Sequence, residues 1–193
     1  MGTSEMPLAD QKIQNSPDYL MSGQQTVITP GVEKIAEKFE GNFEGKIRGI
    51  FDFIRTFRMD VGNKNEIFRK RTAEQIISDG YITGCTDAAL VFITLARAAG
   101  IPAKYIETVD KEWLRTGGSS LAGHIYSGVL ENDKWRIADP MMGRLDVDIE
   151  KDGRIVMAEG SDSWDIGIRS MEELEERFGQ FRAQEANSVG HRL

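Results

Sequence analysis

The chain has 193 residues, 40% of them hydrophobic and 28% charged, proportions of an ordinary globular protein that argue against wholesale disorder and suit one domain with tails. A net charge of -7, with no basic block, excludes nucleic acid as the main partner, because phosphate binding needs a local excess of Lys and Arg. The longest apolar run, "AALVFITLA" at 88–96, is too short to cross a bilayer, so no membrane partner is expected.

Residues 1–28 are polar and read as an extended arm. The opening "MGTSEMPLADQ" lacks the basic residue and apolar run of a secretory signal, which predicts a cytoplasmic protein or one whose signal has been removed. Residues 29–183 read as the single domain and 184–193 as a tail. Thr29 and Pro30 start a first helix that should run to about Phe39, since Pro tolerates the first turn. In "FEGKIRGIFDFIRTF", Ile47, Ile50, Phe51, Ile54 and Phe57 recur at helical spacing and form one apolar stripe. "RMDVGNKNEIFRKR" reads as a loop. Thr72 and Gln75 form a capping box for a short helix ending at Gly80.

A helix from about Cys85 to Ala99 is apolar almost all round and must be central; Gly100 and Pro102 stop it. "AKYIETV", "HIYSGVLE" and "KWRIAD" read as strands, the last two joined by the turn "END". Asp152 and Gly153 predict a further hairpin within "DVDIEKDGRIVMAE". Ser170 and Glu173 cap a last helix, "MEELEERFGQFRAQ", after which the tail should fray. Helices followed by consecutive antiparallel strands predict an α+β fold.

Cys85 is the sole cysteine, which excludes an internal disulfide and fits a reducing compartment. A lone cysteine is more often a small buried hydrophobe than a reagent. At a helix start, however, unpaired backbone donors and the helix dipole favour thiolate, and the same amides can receive an oxyanion. Gly84 leaves room for a substrate backbone beside the sulfur. A base must come from His124, at the head of a strand, or from His191, near the chain end with no pattern to hold it. Counting outward from a turn centred on Asn132 sets His124 and Asp139 nearly opposite each other, within side-chain hydrogen-bond reach. A zinc site from the same three residues lacks the spacing of known zinc motifs and a fourth ligand.

Three segments, "TAEQIISDG", "GYITGCTDAALVFITLARAAGIPAKYIETV" and "GHIYSGVLENDKWRIADP", resemble the core of the transglutaminase-like superfamily over residues 72–140. The shared features are glycine and cysteine at a helix start, Arg97 late in that helix, "GIPA", a histidine-led strand, and a strand with Trp135 that ends in Asp-Pro. The resemblance implies a papain-like fold in which a Cys-bearing helix packs on a small antiparallel sheet. It also implies a Cys85 nucleophile, a His124 base and acid, and an orienting Asp139 carboxylate. Ile125 and Tyr126 stand where the family often shows Ala and Trp. Tyr81, Asn63 and Asn65 are candidates for the second oxyanion donor, and no cofactor is implied.

The expected chemistry is acyl transfer on amide bonds, with hydrolysis of a peptide or peptide-like substrate placed ahead of transfer to an amine. The reading from a different class is a non-catalytic member that binds an extended chain or a partner domain in the same groove. The segment 110–123, with Ser119 and Ser120 near its end, reads as a mobile loop in which Trp113 and Leu114 either pack onto the body or line a flap. Trp164 reads as a core or edge anchor. Arg97 is expected to cap its helix or to pair with a carboxylate.

Overall fold

Capping by Thr29 and Thr72 starts two helices where the sequence places them, in a computed structural model that describes residues 19–118 and 122–190. Helix α1, Pro30–Ala36, has the Thr29 side chain accepting from the Val32 amide. It closes earlier than Phe39, through two tight turns in which the Lys38 and Phe39 amides donate to Ile35 and Ala36. Helix α2, Phe43–Arg55, is capped by Asn42 and buries Ile47, Ile50, Phe51 and Ile54. Gly49 lies inside it because a Cβ there would sit 2.8 Å from the Phe39 ring.

Residues 58–71 are not simply a loop. Strand β1, Arg58–Met59, pairs in parallel with β2, Tyr81–Ile82, and helix α3, Lys64–Ile67, lies between them in sequence. A two-residue strand whose partner lies so far along the chain leaves no local periodicity to read. Helix α4, Ala73–Asp79, carries both halves of the Thr72–Gln75 capping box and ends on Gly80 in the left-handed conformation, φ 69°.

Helix α5, Cys85–Ala98, is the centre of the molecule, and every residue from Thr86 to Arg97 is buried. Helices α1, α2 and α4 cover one side of it, and strands β3, Ala103–Asp110, and β4, Gly123–Glu131, the other. Phe92 stacks on Phe51 at 5.2 Å, and Ala103, Tyr105, Val109, Ile125, Val129 and Ala138 complete the core from the sheet. Each large apolar side chain buried in this way contributes about 1.5–3 kcal/mol. At the far end of α5, Arg97 donates to the carbonyl of Ala103, at 2.9 and 2.7 Å, to that of Ser161 and to the Thr26 hydroxyl.

Strand β5, Lys134–Asp139, is joined to β4 by Asn132 and Asp133, both at positive φ, 50° and 61°. This two-residue turn matches strand twist and sets Glu131 opposite Lys134. With β6, Arg144–Leu145, and β7, Arg154–Gly160, the antiparallel sheet has the order β6-β5-β4-β3-β7.

The hairpin expected at 146–159 does not form. Asp146 is held by the Arg136 guanidinium, and Asp148 accepts from the Glu150 and Lys151 amides. Residues 148–153 therefore coil into turns, and β7 pairs with the open edge of β3 from Tyr105 to Asp110.

Helix α6, Lys111–Thr116, is capped by Asp110, so the front of the expected mobile loop is a helix. Trp113 packs edge-on against Phe178 at 5.5 Å, and both Trp113 and Leu114 lie against the core. Ser119 and Ser120 lie outside the described residues. Helix α7, Met171–Gly190, runs past Gln184 into the segment expected to fray. Its Ser170 hydroxyl accepts from the Glu173 amide as expected, but the returning Glu173 carboxylate accepts from the Arg169 amide instead of that of Ser170.

Residues 1–18 lie outside the described residues. Tyr19–Ile28 have no regular secondary structure and are tied to the domain. Gln25 is buried and donates to the carbonyls of Arg69 and Arg71. Among the described residues no helix is long and apolar enough to cross a membrane.

Candidate active site

Cys85 is the first residue of α5 and, unlike the buried stretch that follows it, is only partly buried. Gly84 precedes it in an extended conformation that any residue can adopt. A Cβ there would meet only the Lys64 side chain, 3.7 Å from Nζ. The glycine therefore keeps space open beside the sulfur rather than relieving strain. No side chain caps α5 at Gly84; the turn into the helix is held from inside it. Asp87 Oδ2 accepts from the Thr83 amide and hydroxyl, both at 2.8 Å, and from Arg71 Nη2 at 2.6 Å. Sequence reasoning missed this clamp, although an acid in the first turn of an otherwise apolar helix was its signal.

His124 and Asp139 come together, with Nε2 of the ring 3.0 Å from Asp139 Oδ2. The register differs from the counted one, because the turn centre falls between Asn132 and Asp133. The last ladder pair is Ser127 with Ala138, so Asp139 lies across from Tyr126, and His124 is its diagonal neighbour two residues further along. Diagonal pairs on one face still lie within reach of long side chains. The Tyr126 ring meets the His124 ring edge-on at 4.8 Å.

Asp139 is 1% exposed. Its Oδ1 accepts from the Met142 amide at 3.1 Å, and Oδ2 also meets Arg144 Nη2 at 3.3 Å. Arg144 reaches on to Asp152, which accepts from the Tyr126 hydroxyl at 2.9 Å, so the network around the ring closes on itself.

Burial alone would lower the His124 pKa. Hydrogen bonds to Asp139 and Cys85, and the negative charges of both, outweigh it and raise the imidazole to about 9. The ring nitrogen bonded to Asp139 is Nε2, which leaves Nδ1 for the thiol. Burial would raise Asp139, but His124, the Met142 amide and Arg144 hold its carboxyl below the usual range. Sulfur, imidazole and carboxylate thus form one coupled series at the mouth of α5.

Among the other residues singled out in the sequence, Asn63 Nδ2 donates to the Tyr81 hydroxyl at 3.5 Å, and the Tyr81 ring receives Arg71 at 4.4 Å. Asn65 is exposed. Trp164 is an anchor, its indole N–H donating to the Arg69 carbonyl at 2.7 Å. His191 lies outside the described residues. No three His, Cys, Asp or Glu side chains cluster as metal ligands would among the described residues. Arg69 and Glu107, which the sequence reading passed over, form an ion pair whose side chains are both 1% exposed.

No curated protein matches the chain. Among solved structures it is similar to a "putative cysteine protease" from Cytophaga hutchinsonii, at 20% identity and a TM-score of 0.61. That match covers 81% of this chain and 52% of the other, so the chain spans about half the length of the Cytophaga protein. Legionella pneumophila LapG is matched at 11% identity and a TM-score of 0.46, over 78% of this chain and 94% of that one. The sequence profile of the transglutaminase-like superfamily matches residues 32–140, more than half of the chain and nearly the whole span from α1 to the end of β5. The chain belongs to the transglutaminase-like superfamily.

Proposed function

We propose that this protein is a cysteine hydrolase that cleaves amide bonds of a peptide or peptide-like substrate through a thioester on Cys85. The observation that carries the reading is the imidazole of His124, held by a buried carboxylate 3.0 Å away on one side and coupled to the thiol at the N-terminus of α5 on the other.

In this reading His124 takes the Cys85 proton and the thiolate attacks the amide carbonyl carbon, forming the C–S bond. The oxyanion that develops meets the first amides of α5, which have no acceptors within the helix. Collapse breaks the C–N bond, and the amine leaves with the proton from His124. Water, deprotonated by the same ring, attacks the thioester; the C–S bond breaks, the acid departs, and the proton returns to the thiolate–imidazole pair. Asp139 keeps the ring oriented throughout. The proposed setting is the reducing cytoplasm, where a lone thiol stays available.

Iodoacetamide labelling against pH tests the reading, because the protein has a single cysteine. Cys85 should alkylate fast well below the ordinary thiol pKa of about 8.5, His124→Ala should slow it, and Cys85→Ala should abolish cleavage in a peptide-library digest. A Cys85 that reacts no faster than a free thiol would sink the proposal.

A further inference from the structure

Beneath the proposed nucleophile lies a feature that stability does not explain. Arg69 Nη2 and Glu107 Oε2 are 2.7 Å apart with both side chains 1% exposed. The remaining guanidinium donors, Nε and Nη1, are buried without a hydrogen-bond partner among the described residues, the guanidinium lying over the Phe68 ring at 5.1 Å. Arg69 also holds a left-handed backbone, φ 56°, a conformation unfavourable for a side-chain-bearing residue. Its carbonyl is clamped by the Trp164 indole and the Gln25 amide. Apolar residues of similar volume commonly serve stability as well as a buried ion pair, or better. Three costs at one residue, unpaired donors, buried charge and an unfavourable backbone, point to a role other than folding.

The position of the pair supplies that role. Thr108 lies opposite His124 in the β3–β4 ladder and donates its hydroxyl to the His124 carbonyl at 2.7 Å; the preceding residue, Glu107, pairs with Ile125 and so lies on the other face of the sheet from His124. Tyr105, on the same face of β3, donates to Glu107 at 3.3 Å, and its hydroxyl also meets Thr86, the neighbour of Cys85. The cluster thus runs from the start of α5 to the head of β4. The Arg69 charge interacts favourably with the Cys85 sulfur, and the Glu107 charge with the His124 ring.

We propose that Arg69 and Glu107 are positioning residues for the Cys85–His124 pair, and that their two buried charges favour thiolate and imidazolium together. The inference rests on the hydrolase reading above. Around the sulfur the charged and titratable groups are His124, Arg69, Tyr105 and, across Gly84, Lys64; around the ring they are Cys85, Asp139, Tyr126 and Glu107, with Arg144 behind Asp139 and Asp152 behind Tyr126.

The test is the pH profile of iodoacetamide labelling in the full chain. Removing the cation in Arg69→Met should move the acid limb of the profile to higher pH by about one unit, making labelling there about tenfold slower. Removing the anion in Glu107→Gln should move both limbs to lower pH. Arg69→Lys, which keeps the charge, should retain the unaltered profile. Opposite displacements are not what loosened packing produces. Glu107→Gln preserves shape and an acceptor, so it gives a reading even if Arg69→Met does not fold. Limbs that stay put, or move the same way, while unaltered Cys85 remains hyper-reactive would overturn this inference alone. An unaltered Cys85 with ordinary reactivity would overturn the hydrolase reading beneath it.

Discussion

Replacing Asp139 with Asn is the sharpest test of how this site is tuned, because it removes a charge and leaves almost the same shape. The folded protein raises His124 from 6.5 to about 9, a bias toward imidazolium worth about 3 kcal/mol. Burial opposes that bias, and the hydrogen bond that the ring donates to Asp139 is the foremost contribution in its favour. Cys85 supplies the other raising contributions, together with the Asp139 charge. Losing that charge should therefore lower His124 by about 1 to 2 pH units, or about 1.4–2.8 kcal/mol. A second cost follows from counting acceptors. Asp139 gives Oδ1 to the Met142 amide and Oδ2 to His124 and Arg144, whereas Asn has one oxygen, so one of the two sides loses its acceptor. A buried donor left unpaired costs about 1–3 kcal/mol of stability. The assay is an NMR titration of the His124 ring in a His191→Gln background, run beside the alkylation profile, whose upper limb belongs to the coupled thiol–imidazole pair. If His124 titrates at the same pH in the Asp139→Asn variant as beside the native carboxylate, the electrostatic account of the site is wrong.

Two further predictions concern stability. His124 has a folded pKa above its unfolded one, so its contribution is complete below pH 6.5 and disappears as pH rises through about 9. Asp139 is shifted the other way, so its contribution holds above the ordinary carboxylate pKa and is lost as pH falls through its depressed folded value. Urea unfolding should accordingly show greater stability at pH 6 than at pH 9.5, and His124→Gln should flatten that difference; an unchanged slope in the variant would assign the pH dependence elsewhere. Trp113→Ala removes the ring that meets Phe178 edge-on at 5.5 Å, and for a half-buried ring the loss should be about 2–3 kcal/mol, below the full-burial range. Melting temperature should fall by several degrees with turnover per folded molecule unchanged; the converse result would make Trp113 part of a flap.

What the sequence disclosed was whatever is decided within a few residues. The Thr72–Gln75 box, the Thr29–Pro30 start, the all-apolar helix and the β4–β5 hairpin each depend on neighbours, and each could be read. The transglutaminase-like motifs carried the candidate triad because they link three such local signals in a fixed order. What stayed hidden depends on partners far along the chain. Strand β1 exists only because Tyr81 and Ile82 lie beside it. Strand β7 leaves its own turn for the edge of β3, since the acids of the other arm are engaged by Arg136 and by turn amides. The ion pairs of Arg69 and Arg71 lie in a segment that reads as a loop, because nothing local announces that Glu107 and Asp87 will bury them. Even the hairpin count missed by a fraction of a residue, enough to turn a nearly opposite pair into a diagonal one.

The same contrast explains why the thiol can be placed so finely. A helix with a solvent face can rotate or slide at little cost, but α5 has none from Thr86 to Arg97, and close packing on every side fixes both its rotation and its height. Its two ends are pinned by different chemistry, Arg97 to the Ala103 carbonyl at one end and Asp87 to Thr83 and Arg71 at the other. The only residue of its first turn left partly open is the one carrying sulfur. Across from it, His124 and Asp139 belong to a hairpin whose two-residue turn permits one register. Two rigid elements, each determined by its own packing, thereby meet at a single point, and loosening either should misplace the sulfur or the ring without removing a reactive atom.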